Sequence, residues 1–192
     1  MSRKLPKTDM IELNKAYNEV LAWFFSFPDR EIGLNDLAAA IHISKATARR
    51  AALHLIEEGF LQRELLGNMW RLSRNKDHVY NFSKKIAYKL MMVYESGILG
   101  DIHRAFSNPR CVVLFGSYRK GDDNEKSDID IAVEVVGGKE QKIVKLGEIK
   151  KFGYRKNVPI NLHIFSRDKI DINLFSNIAN GIILEGFLEV RK

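Results

Sequence analysis

Asp128 and Asp130 form an acidic pair with one residue between them, and ten residues separate Asp128 from an upstream Gly116-Ser117. In the run Asp128-Ile129-Asp130-Ile131-Ala132-Val133 acidic positions alternate with apolar ones. On a strand, side chains two apart leave the same face, with Cα atoms about 6–7 Å from each other. The two carboxylates therefore share a face while Ile129, Ile131 and Val133 pack behind them. Carboxylates held that close repel each other unless a cation lies between them, and their hard oxygens suit Mg²⁺. Upstream, Val112-Val113-Leu114-Phe115 is a short apolar run between Pro109 and Gly116, which predicts a buried strand. Gly116 lets the backbone approach a ligand closely, and a helix starting at Ser117 would aim free N–H groups at a phosphate. Arg119 and Lys120, just past this turn, can neutralise a triphosphate, and Ser127 completes the candidate nucleotide-binding set. A phosphate cradle facing a metal-binding acidic pair is what nucleotidyl transfer requires.

The Gly116-Ser117, ten-residue, Asp128-x-Asp130 constellation resembles the signature of the minimal nucleotidyltransferases, within the DNA-polymerase-β-like superfamily. The likeness runs over about residues 109–190, including Ile178 to Gly186 at its end. It implies an α/β (α+β) domain with a small mixed sheet flanked by helices. The implied activity is transfer of a nucleoside monophosphate from an NTP, with ATP expected, to a macromolecular hydroxyl. Mg²⁺, as one or two ions held by three carboxylates, is the implied cofactor. Gly116 and Ser117 would hold the β- and γ-phosphates, and Asp128 and Asp130 would be catalytic metal ligands.

In that family the third carboxylate sits on a later strand beside the acidic pair. Here the candidate strand is Val158-Pro-Ile-Asn-Leu-His-Ile-Phe165, whose alternation sets Asn161 and His163 on one face and Ile160, Leu162 and Ile164 on the other. Asn161 occupies the slot of the third acid. An asparagine can offer a neutral oxygen to a metal but cannot take a proton from a hydroxyl. A neutral His163 can serve as base or nitrogen ligand.

The elements that must position these groups follow from hydropathy and turn residues. Asp9 with Glu12 forms a capping box for a helix in which Met10, Leu13, Tyr17, Val20, Leu21 and Phe24 recur until Pro28. The Trp23-Phe24-Phe25 cluster is expected in a core. Asn35 is placed to cap a short helix burying Leu37, Ala38 and Ile41. Ser44 caps a second that runs to Glu58, buries Ala48, Ala52 and Leu55, and ends at Gly59. Leu61–Leu65, Gly67-Asn68 and Met69–Leu72 then predict a hairpin. Helix, helix-turn-helix and hairpin in this order resemble a winged-helix domain over about residues 10–73. That resemblance places Lys45, Thr47, Arg49 and Arg50 toward a DNA major groove, with Arg63 and Arg71 near the wing. Residues 1–75 carry a net charge of only about +2, so protein docking stands beside DNA binding as a role for this domain.

Beyond the polar stretch Ser73–Asp77, Val79, Phe82, Ile86, Leu90 and Val93 predict a connecting helix with Lys84, Lys85 and Lys89 on a solvated face. Residues 140–153 are expected as a basic amphipathic helix burying Ile143, Leu146 and Ile149. A last helix is expected over 168–179, ended by Gly181, and Ile182–Leu184 as an edge strand. The acidic loop Gly121–Lys126 lacks the alternating ligands, central Gly and terminal Glu of an EF-hand, which excludes that reading. The domain assignment is thus 1–75 winged helix, 76–108 helical connector and 109–192 nucleotidyltransferase domain.

Composition sets wider bounds. The chain has 192 residues, 45% of them hydrophobic, with a formal net charge of +7 and one cysteine. No run approaches the roughly 20 apolar residues of a membrane span and no signal-peptide core opens the chain. A cytoplasmic protein without membrane contact is expected, and the lone Cys111 fits a reducing compartment. The two rival functional readings are a non-catalytic, nucleotide-sensing transcriptional regulator and an antitoxin-like partner of a separate HEPN-family toxin. The latter follows from what minimal nucleotidyltransferases do elsewhere; no HEPN-like segment lies in this chain.

Overall fold

The computed structural model describes residues 15–137 and 140–190, in two compact units. Asp9, Met10 and Leu13, expected at the start of the first helix, lie outside the described residues.

The first unit comprises residues 15–25 and 29–76. Its elements are α1 (Lys15–Ser26), β1 (Ile32–Gly33), α2 (Leu34–Ala40), α3 (Lys45–Glu57), β2 (Leu61–Leu66) and β3 (Met69–Arg74). Trp23, Phe24 and Phe25 are buried as expected, and Phe60 meets the last two edge-on. Leu37, Ala48, Ala52, Leu55 and Leu72 complete this core. Ser44 caps α3 by accepting the Thr47 N–H at 3.1 Å. The cap of α2 is Gly33 rather than Asn35, which lies inside the helix. β1 turns straight into α2 and pairs with β3, so the wing is a three-stranded sheet of order β1-β3-β2.

The second unit contains residues 77–190 with 26–28. After a short 3-10 turn at Val79–Asn81 come α4 (Lys84–Glu95), α5 (Ile98–Ala105), β4 (Cys111–Phe115), α6 (Gly116–Lys120), β5 (Ile129–Glu134), β6 (Lys142–Phe152), β7 (Arg155–Phe165), α7 (Ile172–Ala179) and β8 (Ile182–Gly186). The five strands form a mixed sheet of order β6-β7-β5-β4-β8, in which only β5 and β7 run parallel. Alternation splits the apolar residues between two faces. Val112, Leu114, Ile129, Ile131, Val133, Ile160 and Leu162 pack with Val93, Ile98 and Ile102 of α4 and α5. The stretch 76–108, expected as a connector, thus contributes directly to this core. Val113, Phe115, Ala132 and Phe165 pack on the opposite face with Ile178 of α7.

Four sequence expectations are corrected here. Residues 142–152 form strand β6, not a helix, because Gly153 and Tyr154 turn the chain back and pair it along β7. Ile143, expected buried, is 57% exposed. The helix expected from Val79 begins only at Lys84, leaving Val79 and Phe82 exposed. Lys85 and Lys89 are not on a solvated face: both are buried, on an aspartate described below. The last helix starts at Ile172, capped by the Asp171 side chain. Among the described residues no helix is long and apolar enough to cross a membrane.

Candidate active site

Strand pairing assembles the site. β5 carries Asp130 beside Asn161 of β7 and Ala132 beside His163, while β4 sets Phe115 opposite Asp130. All four polar candidates meet: the Asn161 amide donates to Asp128 Oδ2 at 3.1 Å and, more weakly, to Asp130 Oδ1 at 3.4 Å. His163 Nε2 lies 3.4 Å from Asp130 Oδ1, and its ring meets Phe115 edge-on. Two negative charges are thereby held together with an amide and an imidazole as their neighbours.

Gly116 has a structural reason to be glycine. Its φ is +71°, and a Cβ there would lie 2.7 Å from Asp130 Oδ2. The turn that would cradle phosphate and the acidic pair are therefore in direct contact. Gly116 opens α6 and Ser117 follows it, while Arg119 and Lys120 at its end are exposed.

The loop from α6 to Asp128 is anchored from beneath by buried cations, which sequence reasoning missed. Lys85 donates to the Gly121 and Asp123 carbonyls at 2.8 and 2.6 Å and pairs with the Asp123 carboxylate at 3.0 Å. Lys89 pairs with the same carboxylate at 3.2 Å. Burial lowers the Lys89 pKa to about 8 despite this partner. Arg155 donates to the Ser127 carbonyl at 2.8 Å and to the Tyr118 hydroxyl. Burial raises the Tyr118 pKa well above its usual value, so its hydroxyl stays neutral. Ser127, a candidate nucleotide contact, uses its hydroxyl to receive the Asn124 N–H at 3.0 Å. Cys111 lies away from this network, buried, with burial pushing its thiol up to about 11; it is an inert core residue.

The donor set can be weighed for a metal. Among the described residues no three His, Cys, Asp or Glu side chains converge as a metal site. Two carboxylates plus the Asn161 amide, which could turn its oxygen inward, would suit one hard divalent ion if phosphate or water supplied its other ligands.

In the first unit Lys45, Arg49 and Arg50 of α3 are exposed and Thr47 is partly covered. Arg49 and Arg63 both stack on Trp70 of β3, at 5.1 and 4.6 Å from its ring centre. Arg71 is paired with Glu31 and Glu64 at 3.6 and 3.4 Å. Of the expected DNA contacts, Lys45 and Arg50 therefore keep the least engaged charges. His42 and His54 are exposed.

Two stretches of the chain match models of known protein families. Residues 96–179 match the nucleotidyltransferase domain, and residues 24–65 match the IclR helix-turn-helix domain. No curated protein matches the chain.

Proposed function

We propose that this chain, a nucleotidyltransferase domain joined to an N-terminal winged helix, binds a nucleoside triphosphate with Mg²⁺ and transfers its nucleoside monophosphate to a hydroxyl. The observation that carries the reading is the contact of the Gly116 turn with Asp130, in a site where Asp128, Asp130, Asn161 and His163 converge. In the transfer, the acceptor oxygen bonds to the α-phosphorus, the bond from that phosphorus to the α,β-bridging oxygen breaks, and pyrophosphate leaves. Asp128 and Asp130 hold the ion, which would offset charge on the triphosphate and on the attacking oxygen. Gly116 and Ser117 receive the β- and γ-phosphates, with Arg119 and Lys120 nearby. His163 takes the acceptor's proton, a role that the Asn161 amide cannot fill. ATP is the proposed nucleotide, and the winged helix brings the enzyme to duplex DNA through Lys45 and Arg50.

Incubation with α-labelled ATP, Mg²⁺ and cell extract tests this reading. Label should pass to a macromolecule with wild-type protein and not with Asp128→Ala/Asp130→Ala. One observation favours a second reading, a nucleotide sensor without catalysis: Asn161 already donates to both carboxylates where a third acid would stand. Nucleotide binding without any label transfer would decide for it.

A further inference from the structure

Strand register extends the site one residue beyond the four candidates. On the edge strand β6, Lys145 stands directly opposite Asn161, and Ile143 opposite His163. Cross-strand partners project from the same face of a sheet. Val144 between them packs on the opposite face with Leu162, which fixes the alternation independently. One row therefore crosses four strands in the order Phe115, Asp130, Asn161, Lys145. Lys145 is the only cation in that row, is exposed, and makes no ion pair with any described residue.

Position in the row decides what Lys145 can touch. Adjacent strands lie about 4.8 Å apart, so its Cα is roughly 10 Å from that of Asp130 and about 14 Å from that of Phe115, just before the Gly116 turn. Its flexible four-carbon stem can carry an ammonium across Asn161 toward the acidic pair but not to the turn. It faces the side of Asp128 and Asp130 opposite the proposed triphosphate cradle, which is where an attacking group must enter for an in-line displacement.

We propose that Lys145 is an acceptor-contacting residue, and that the acceptor carries phosphate close to the hydroxyl it presents. This rests on the nucleotidyl-transfer reading above. Edge strands often carry lysines that simply discourage edge-to-edge pairing. Lys150 on the same strand is exposed too. It lies outside the row, so it serves as the control for that plainer role.

The test uses full-length protein saturated with Mg²⁺ and a non-cleavable α,β-methylene ATP analogue. Two phosphate-bearing probes are titrated in: a single-stranded trinucleotide, too short for a winged helix to read, and glucose 6-phosphate. Lys145→Ala should weaken binding of the preferred probe about tenfold, and Lys145→Glu more. Lys150→Ala should leave it within twofold, and affinity for the ATP analogue should not change in any of the three. Which probe responds identifies a nucleic-acid strand or a small phosphorylated molecule as the source of the phosphate. If wild type binds the analogue but Lys145→Ala and Lys150→Ala behave alike, or neither probe binds, the role of Lys145 is refuted while the nucleotide site stands. If wild type fails to bind the analogue, the underlying reading falls and this one with it.

Discussion

Asn161 donates its side-chain amide to the Asp128 carboxylate at 3.1 Å, from the strand position beside Asp130. A neutral donor thus stabilises an acidic pair that would otherwise carry two uncompensated charges. Asn161→Asp replaces that donor with a third carboxylate. Like-charge repulsion should lower the apo melting temperature by about 3–8 °C, on the order of 1–2 kcal/mol. With Mg²⁺ the repulsion turns to attraction, so metal should stabilise this variant more than wild type. Thermal melts with and without Mg²⁺ check both signs; equal metal-induced shifts in the two proteins would refute the arrangement.

Gly116→Ala tests the contact between turn and acid. The substitution meets a φ of +71° and a Cβ 2.7 Å from Asp130 Oδ2. Strain of this kind costs about 1–3 kcal/mol. Melting should fall accordingly, and Mg²⁺-dependent nucleotide affinity should fall further, because Asp130 must move aside. An alanine variant with wild-type affinity would mean that the turn and Asp130 act separately.

Lys89 gives a pH signature. Burial holds its pKa at about 8, below the ordinary lysine value of 10.5. Between those two values the unfolded chain binds more protons than the folded one, so this group makes stability rise with pH across that window. Lys89→Met should remove the rise, on the order of 2–3 kcal/mol. At pH 7 the variant should be at least as stable as wild type, since Asp123 keeps its pairing with Lys85 and a buried charge is lost. Denaturant unfolding at pH 7, 8, 9 and 10 reads both effects, and parallel stability curves for the two proteins would contradict the assignment.

Much of this site is legible in sequence because its parts are local. A short apolar run, a glycine and an alternating acidic strand each carry their own signal, and the alternation of 158–165 assigns Asn161 and His163 to one face. β6 is illegible for a specific reason. Register shifts between Lys145 and Gly147, so Ile143, Leu146 and Ile149 fall three apart and imitate helical spacing. Gly147, with φ +141°, is the one local sign against a helix. That misreading hides Lys145 as well. Lys85 and Lys89 sit four apart, as solvated helix lysines do, and only the fold brings Asp123 to them.

For the winged helix, Lys45→Ala with Arg50→Ala should weaken duplex binding and flatten the dependence of log affinity on log salt by about one unit per lost phosphate contact. Arg71→Ala should change little, because Glu31 and Glu64 already pair with that arginine. Absence of salt-sensitive duplex binding by wild type would assign this unit to protein docking instead.

The most direct measurement is equilibrium binding of ATP by calorimetry, with and without Mg²⁺, for wild type and Asp128→Ala/Asp130→Ala. Wild type should bind ATP more tightly with Mg²⁺ than without it. The double variant should stay folded and lose that difference. A wild type whose ATP affinity ignores Mg²⁺, or a double variant that keeps the full Mg²⁺ effect, would contradict a metal–nucleotide site on these two aspartates.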